Sequence, residues 1–243
     1  MTDLVAAEWL KLRTIRLLVG LIPAVVISCA AVAGAVLSAD GARALESAEG
    51  VRKVLSVAGT GAVVVLVVGI AISAGEYRHG TVADTFLTTP RRHRVIAAKL
   101  TIGAAVGLAT GTALALAGAG MAGLLYDVEG ATFPFDDVEV WLTLAGTVVY
   151  VGLFATIGVA LGAVVRNQVI AVAAALAWFA IVEHTLVNLV PDVGRWLPAA
   201  AGQAIVRTPL DGLLSPLGGT AVLAAYGIGT ALAGMRVAAV RDA

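Results

Sequence analysis

The sequence predicts an all-α membrane protein with six transmembrane helices. Of its 243 residues, 60% are hydrophobic and only 13% are charged, and the apolar residues form six long runs. An average globular domain is about 25% charged, so this chain lacks the polar surface that water requires. The runs are continuous rather than alternating, which favours spanning helices over barrel strands. No linker or repeat divides the sequence, and we expect a single transmembrane domain over residues 1–243.

The six predicted spans follow from length, since a helix needs about 20 apolar residues to cross the hydrocarbon core. They are Leu17–Ser38, Val54–Gly75, Val95–Leu125, Trp141–Val165, Val169–Val190 and Leu217–Val240. The third span holds Lys99 near its start, and we expect this side chain to snorkel to the headgroups. Glycines recur every fourth residue in the same span, at Gly103, Gly107 and Gly111. This spacing predicts close approach of a neighbouring helix.

The distribution of basic residues predicts the orientation of the chain. With the N-terminus inside, eleven of the 16 lysines and arginines fall on the inner side, and the other five fall outside. Basic residues concentrate on the cytoplasmic side of membrane proteins. We therefore expect a multi-pass protein of the cell membrane with both termini in the cytoplasm.

Several kinds of chemistry are missing from the sequence. None of the three lysines lies in a phosphate-binding Walker loop, and the three histidines are scattered, without the spacing of a metal site. The chain also lacks a Gly-x-Ser-x-Gly nucleophile elbow. We expect no catalytic residues, no cofactor or metal bound by this chain, and no nucleic-acid partner.

The polar segment after the second predicted span carries the most local information. Gly80 is expected to end that span, and Thr81 can cap a new short helix in which Asp84 favours the positive helix start. Pro90 would stop this helix, so the pattern predicts about two helical turns along the inner face. The alternative is an ordinary positive-inside loop.

The order of motifs around this segment resembles the coupling region of ABC-2-type permeases, the membrane subunits of bacterial ABC exporters. The matching residues are Glu76, Gly80-Thr81, Pro90-Arg91 and Lys99. Residues 8–14 are similar to the polar elbow helix before the family's first span. Residues 191–216 are similar to its outer re-entrant region before the last span. The resemblance therefore covers the plan of the whole chain.

This resemblance implies a function and a set of partners. Two permease subunits, identical or merely similar, would form the pathway in the lipid bilayer, and separate ABC ATPase subunits would bind ATP and Mg²⁺. The residues implied in ATPase coupling are Glu76, Arg78, His79, Gly80, Thr81, Phe86 and Leu87. Those implied in the elbow helix are Glu8, Trp9, Lys11 and Arg13.

Glu183 and His184 form an ionisable pair inside the fifth predicted span. Ionisable residues at such depth are costly and often functional, so the pair could line the pathway; alternatively it is structural. Two other functions stay open: an ion-gradient-driven transporter with Glu183 as proton carrier, and a non-transporting membrane component of a complex. The transported substrate cannot be read from the sequence.

Overall fold

The computed structural model of the chain describes residues 2–14, 17–37, 47–80 and 92–240. Within these ranges all regular structure is helical and no strand occurs. The first helices are α1 (Thr2–Thr14), α2 (Leu17–Leu37), α3 (Ala48–Ser56), α4 (Ala62–His79) and α5 (Arg92–Val128). They are followed by α6 (Val138–Val165), α7 (Gln168–Leu189), α8 (Pro191–Gly194), α9 (Pro198–Ile205) and α10 (Pro216–Val240).

Five helical segments in the described ranges are long and apolar enough to cross a membrane. They are Ala48–Arg78, His93–Val128, Val138–Val165, Gln168–Leu189 and Pro216–Ala239. In α2, the apolar stretch with described side chains is the shorter Val25–Ala35. The chain thus has the helices of a multi-pass membrane protein, as its composition predicts.

Helix α6 lies at the centre of the bundle, where α4, α5 and α10 pack against it. Glycines make this packing close. A Cβ on Gly111 of α5 would stand only 2.9 Å from Val148 Cα, and one on Gly107 would stand 2.9 Å from Gly152 Cα. The predicted packing role of the α5 glycines is confirmed. On the other side of α6, Gly158 lies directly against the backbone of Leu66 in α4.

The second predicted span is not one uniform helix. The helical path begins at Ala48, tightens into a 3₁₀-helix over Val57–Gly61 and continues as α4 to His79. A Cβ at Gly59, within the 3₁₀ turn, would stand 3.1 Å from the Tyr150 ring. The Ser28 hydroxyl of α2 donates to the Ala58 carbonyl at 3.0 Å. Because Gly59 has no side chain, α2 and α6 can both lie close to the backbone of this 3₁₀ turn.

Helix α7 also departs from uniform geometry. It is α-helical over Gln168–Ala177, widens to a π-helix over Trp178–Glu183, and returns to α-helix at His184. Single π-helical turns occur frequently at functional sites. The turn between α6 and α7 is as short as predicted: Arg166 is left-handed, with φ 57°, and the Asn167 side chain caps the Ile170 amide.

Helix α9 is short and almost wholly buried, and it packs against α10 and α6. A Cβ at Gly202 would overlap the ring of Tyr150. Tyr150 is twelve residues into α6, or roughly 18 Å along it at 1.5 Å per residue. Helix α9 therefore reaches well into the bundle between two long helices.

Candidate functional site

Four charged side chains from three helices form a network at one end of the bundle. Lys99 Nζ of α5 lies 2.8 Å from Glu8 Oε2 of α1 and 2.8 Å from Glu76 Oε1 of α4. Lys11 Nζ, on α1, lies 2.9 Å from Glu8 Oε1 and 2.8 Å from Glu76 Oε1. Each lysine thus bridges both carboxylates. We call these four residues the charge network.

The charge network is electrically balanced and mostly shielded from solvent. The exposed fraction of the side chain is 6% for Lys99, 7% for Glu8 and 12% for Glu76, against 42% for Lys11. Desolvating a charge costs several kcal/mol unless it is paired with good geometry. Here two ammonium groups meet two carboxylates at hydrogen-bonding distance. The network therefore holds α1, α4 and α5 together as long as all four members are present.

Helix α1 is oriented by this network rather than by an apolar stripe. Glu8 and Lys11 are three residues apart, so they lie on one face of the helix, and that face is turned toward α4 and α5. Val5 packs against an apolar cluster that includes Val68, Ile72 and Ile102. On the outward side Trp9 and Leu10 are exposed. An inward polar face and an outward apolar one suit a helix at a membrane interface.

Lys11 is the most exposed member of the charge network. Partial burial lowers the pKa of Lys11, but its hydrogen bonds and charge interactions with Glu76 and Glu8 outweigh this, and the net pKa lies above its ordinary value. A raised lysine pKa means that the ammonium form persists at neutral pH and that its stabilising contribution is lost only under strongly alkaline conditions. Lys11 therefore stays charged around neutral pH, and its titration does not open the network there.

The structure corrects the prediction for Lys99. Its side chain is only 6% exposed and does not snorkel to the headgroups. The reason is that Glu8 and Glu76 offer it two carboxylate oxygens inside the protein, so its ammonium group need not reach water. The sequence identified Glu8, Lys11, Glu76 and Lys99 in three separate motifs, and the structure brings all four together.

Of the remaining residues predicted for ATPase coupling, Arg78 and Gly80 lie at the end of α4, and the others are not described or have side chains that are not described. Gly80 ends α4 as predicted: it is left-handed, with φ 71°, and its N–H donates to the Glu76 carbonyl, a frequent helix stop. Arg78 is exposed. The segment 81–91, with Thr81, Phe86 and Leu87, lies outside the described residues, as do the side chains of His79 and Arg13.

Glu183 lies at the end of the π-helical turn and is 2% exposed, whereas the neighbouring His184 is exposed. Glu183 Oε1 accepts the amide N–H groups of Ala199, at 2.5 Å, and Ala200, at 3.2 Å. These are unpaired donors in the first turn of α9. Leu197 occupies the N-cap position and has no acceptor to offer, so a carboxylate from another helix performs the capping.

An ion pair at the other end of the bundle was not predicted from the sequence. Arg207 Nη1 lies 3.0 Å from Glu139 Oε1 and 2.8 Å from Glu139 Oε2. Arg207 is left-handed, with φ 57°, a conformation that is uncommon outside glycine. The pair links the segment after α9 to the first turn of α6. The sequence signal was weak, because Glu139 is one of several acidic residues near the start of α6 and nothing in the sequence pairs it with Arg207.

No protein-family model matches the chain, and no curated protein matches it. The case for its function therefore rests on its motifs and on the geometry described above.

Proposed function

We propose that the chain is the transmembrane permease subunit of an ATP-driven exporter of the ABC-2 type. In this proposal α1 is the elbow helix at the cytoplasmic surface, and α2 with the five long apolar segments makes six spans. Helix α9 belongs to the outer re-entrant segment. The segment between Gly80 and Arg92 is the coupling helix that docks on a separate ATPase, which carries ATP and Mg²⁺. The protein lies in the cell membrane with both termini inside.

The charge network is the single observation that carries this proposal. Glu76 lies four residues before Gly80, and Lys99 lies seven residues after Arg92, so the two flank the proposed coupling segment. Each of them is bonded to α1, and the two lie 2.8 Å from each other. The two ends of the segment are therefore fixed to one another and to a surface helix.

Such an arrangement suits the transmission of force. Removing one member of a buried ion pair costs about 3–5 kcal/mol, so the network stays closed while the segment is pushed. A displacement at residues 81–91 then moves α1, α4 and α5 together rather than bending a loop. Because α4 and α5 both pack on α6, the movement passes into the centre of the bundle.

The exposed apolar surfaces of α7 and α10 support the proposal that a second permease subunit is a partner. Only 17% of the most apolar window of each helix is buried within the chain. Exposed side chains include Ile181 on α7 and Ile228 on α10. These faces must contact lipid or another permease subunit. In a dimer with the pathway between its subunits, they would contact both lipid and the second subunit.

The decisive test is purification of the tagged chain from its own membranes followed by reconstitution. We expect a separate Walker-loop ATPase in stoichiometric amount and substrate export that requires ATP. Phe86→Ala should weaken ATPase association or uncouple hydrolysis from transport. Thr132→Ala, in the opposite loop, is the control and should do neither.

The same experiment separates the alternatives. Transport driven by an imposed proton gradient without ATP would replace the proposal with secondary transport. Stable complexes without an ATPase and without transport would indicate a non-transporting component. Glu183 is the carboxylate that secondary transport would need; its Oε1 is bonded to the start of α9, and its Oε2 is buried without a hydrogen-bond partner among the described residues.

A further inference from the structure

Glu183 has a carboxyl oxygen that the capping of α9 does not explain. Its Oε1 accepts the amide N–H groups of Ala199 and Ala200 in the first turn of α9. Its Oε2 is buried and has no hydrogen-bond partner among the described residues. Buried polar atoms in proteins are nearly always paired, and an unpaired one needs an explanation. The unpaired Oε2 therefore points to a role for Glu183 beyond capping.

Glu183 also lacks a positive partner. In the part of the chain that the structure describes, no basic side chain forms an ion pair with it. It lies in a helix that is long and apolar enough to cross a membrane, roughly 20 Å from the first residue of that helix. Burial and the unpaired Oε2 oppose a charge at such depth, whereas two amide bonds and the positive end of α9 favour one. Opposing influences of this kind act on a single proton.

Helices α6 to α10 carry six other charged or titratable side chains, which are Glu139, Tyr150, His184, Asp192, Tyr226 and Arg236. Glu139 is paired with Arg207, and Asp192 lies 3.7 Å from Arg195. Arg236 lies near the end of α6, because the neighbouring Gly234 packs on Ala163. The two tyrosines ordinarily stay neutral below about pH 10. His184 is exposed, and Glu183 is therefore the buried acid of this region.

The cap is the polar attachment of α9 to α7. Leu197, at the N-cap of α9, forms no side-chain hydrogen bond. The other close contacts of α9 are made through glycines: Gly202 lies against the Tyr150 ring, and the Ala201 carbonyl lies against Gly219 of α10. Hydrogen bonds to an ionised acceptor are roughly twice as strong as those to a neutral one. A proton on Glu183 therefore weakens the attachment of α9 while its apolar contacts stay the same.

We propose that Glu183 is a proton-controlled latch for α9. The ionised carboxylate holds this short helix in the bundle, and the neutral acid lets it leave its place between α6 and α10. A neutral Oε2 hydroxyl without a partner costs less than a charged oxygen without one, so protonation also removes the penalty that the closed state carries. The sign follows directly: α9 is held at high pH and released as the pH falls. The latch moves no proton across the membrane, and it does not depend on an ATPase.

The test measures the accessibility of α9 in the full-length chain, reconstituted in phosphatidylcholine nanodiscs with Cys29→Ala. Ala204→Cys reports on the buried side of α9, since Ala204 is 2% exposed. Gln203→Cys reports on the exposed side of the same helix. The rate of labelling by an uncharged thiol reagent is measured for each cysteine at pH 5 and pH 8. The ratio of the two rates cancels the pH dependence of thiol chemistry itself. We expect this ratio to be about tenfold higher at pH 5.

Two variants decide which group is responsible. Glu183→Gln keeps an oxygen acceptor but does not titrate, so its ratio should change less than about twofold and stay near the wild-type value at pH 5. His184→Gln is the matched control, because it removes the exposed titratable neighbour and should retain the tenfold change. The proposal is overturned by a ratio that is equal at both pH values in the wild type. PH dependence that survives in Glu183→Gln, or that disappears in His184→Gln, overturns it as well.

Discussion

Replacing Lys99 by methionine tests whether the charge network stabilises the protein. Methionine keeps the length and the apolar stem of the side chain but removes the ammonium group that lies 2.8 Å from both Glu8 and Glu76. Two carboxylates and one ammonium group, that of Lys11, then remain. The site carries a net charge of −1 in surroundings where Glu8 is 7% exposed and Glu76 is 12% exposed.

The size of the effect follows from this burial. Breaking a buried ion pair by removing one partner costs about 3–5 kcal/mol. Lys11 still bridges both carboxylates and is itself half-exposed, so we expect the lower end, about 3 kcal/mol. This is a large share of the roughly 5–15 kcal/mol that separates folded from unfolded proteins.

The measurement is equilibrium unfolding of the detergent-solubilised chain, followed by circular dichroism across a denaturant titration. Lys53→Met is the matched control, because Lys53 is an exposed lysine on α3. A surface substitution of this kind usually changes the free energy of unfolding by less than about 0.5 kcal/mol. The expected difference between the two variants is therefore several times the control effect.

A double variant sharpens the prediction. Lys99→Met combined with Glu76→Gln leaves one carboxylate and one ammonium group, Glu8 and Lys11, and restores neutrality. The double variant should therefore be less destabilised than the sum of the two single variants by about 1–3 kcal/mol. Simple additivity, or a Lys99→Met variant as stable as Lys53→Met, would refute the reasoning that the network acts as one unit.

Three further predictions concern packing, the capping of α9 and topology. Gly158→Ala should destabilise the protein by about 1–3 kcal/mol, because the new Cβ would meet the Leu66 backbone. The control is Gly229→Ala, which should cost nothing since a Cβ there meets no atom within 4 Å. The unfolding assay described above measures both variants. Glu183→Leu should cost about 2–4 kcal/mol by leaving two amide donors of α9 without an acceptor, and Glu183→Gln, which keeps an oxygen acceptor, should cost less than half of that. In a cysteine-free background, Thr132→Cys should react with an impermeant maleimide on intact cells while Asn167→Cys is protected, and the reverse pattern would invert the proposed orientation.

Much of the helical framework could be predicted from composition and local signals. The fourth predicted span began at Trp141 and ended at Val165, and α6 runs Val138–Val165. The stop at Gly80 was predictable because glycine adopts the left-handed conformation without a steric cost. Helix bounds and helix stops depend on residues that are close in sequence, so the ends of an apolar run and a nearby glycine predict them.

The contacts of the site depend on residues that are far apart in the chain. Glu8 and Lys99 are separated by 91 positions, and no periodicity in either segment indicates that they meet. Helix α1 shows no apolar stripe, so its periodicity does not indicate which face is buried or that this face meets charged partners. The π-helical turn in α7 left no signal, because its composition is that of an ordinary apolar helix.

The charge network also sets an order of events during synthesis. Glu8 and Lys11 leave the ribosome together and neutralise one another within α1. When Glu76 follows, the group of three has a net charge of −1, and burying it is unfavourable. Only the arrival of Lys99, at the start of α5, restores balance. Helix α1 is thus made before α4 and α5, but it can take its final place only after the second of the five long apolar segments, His93–Val128, has begun to emerge.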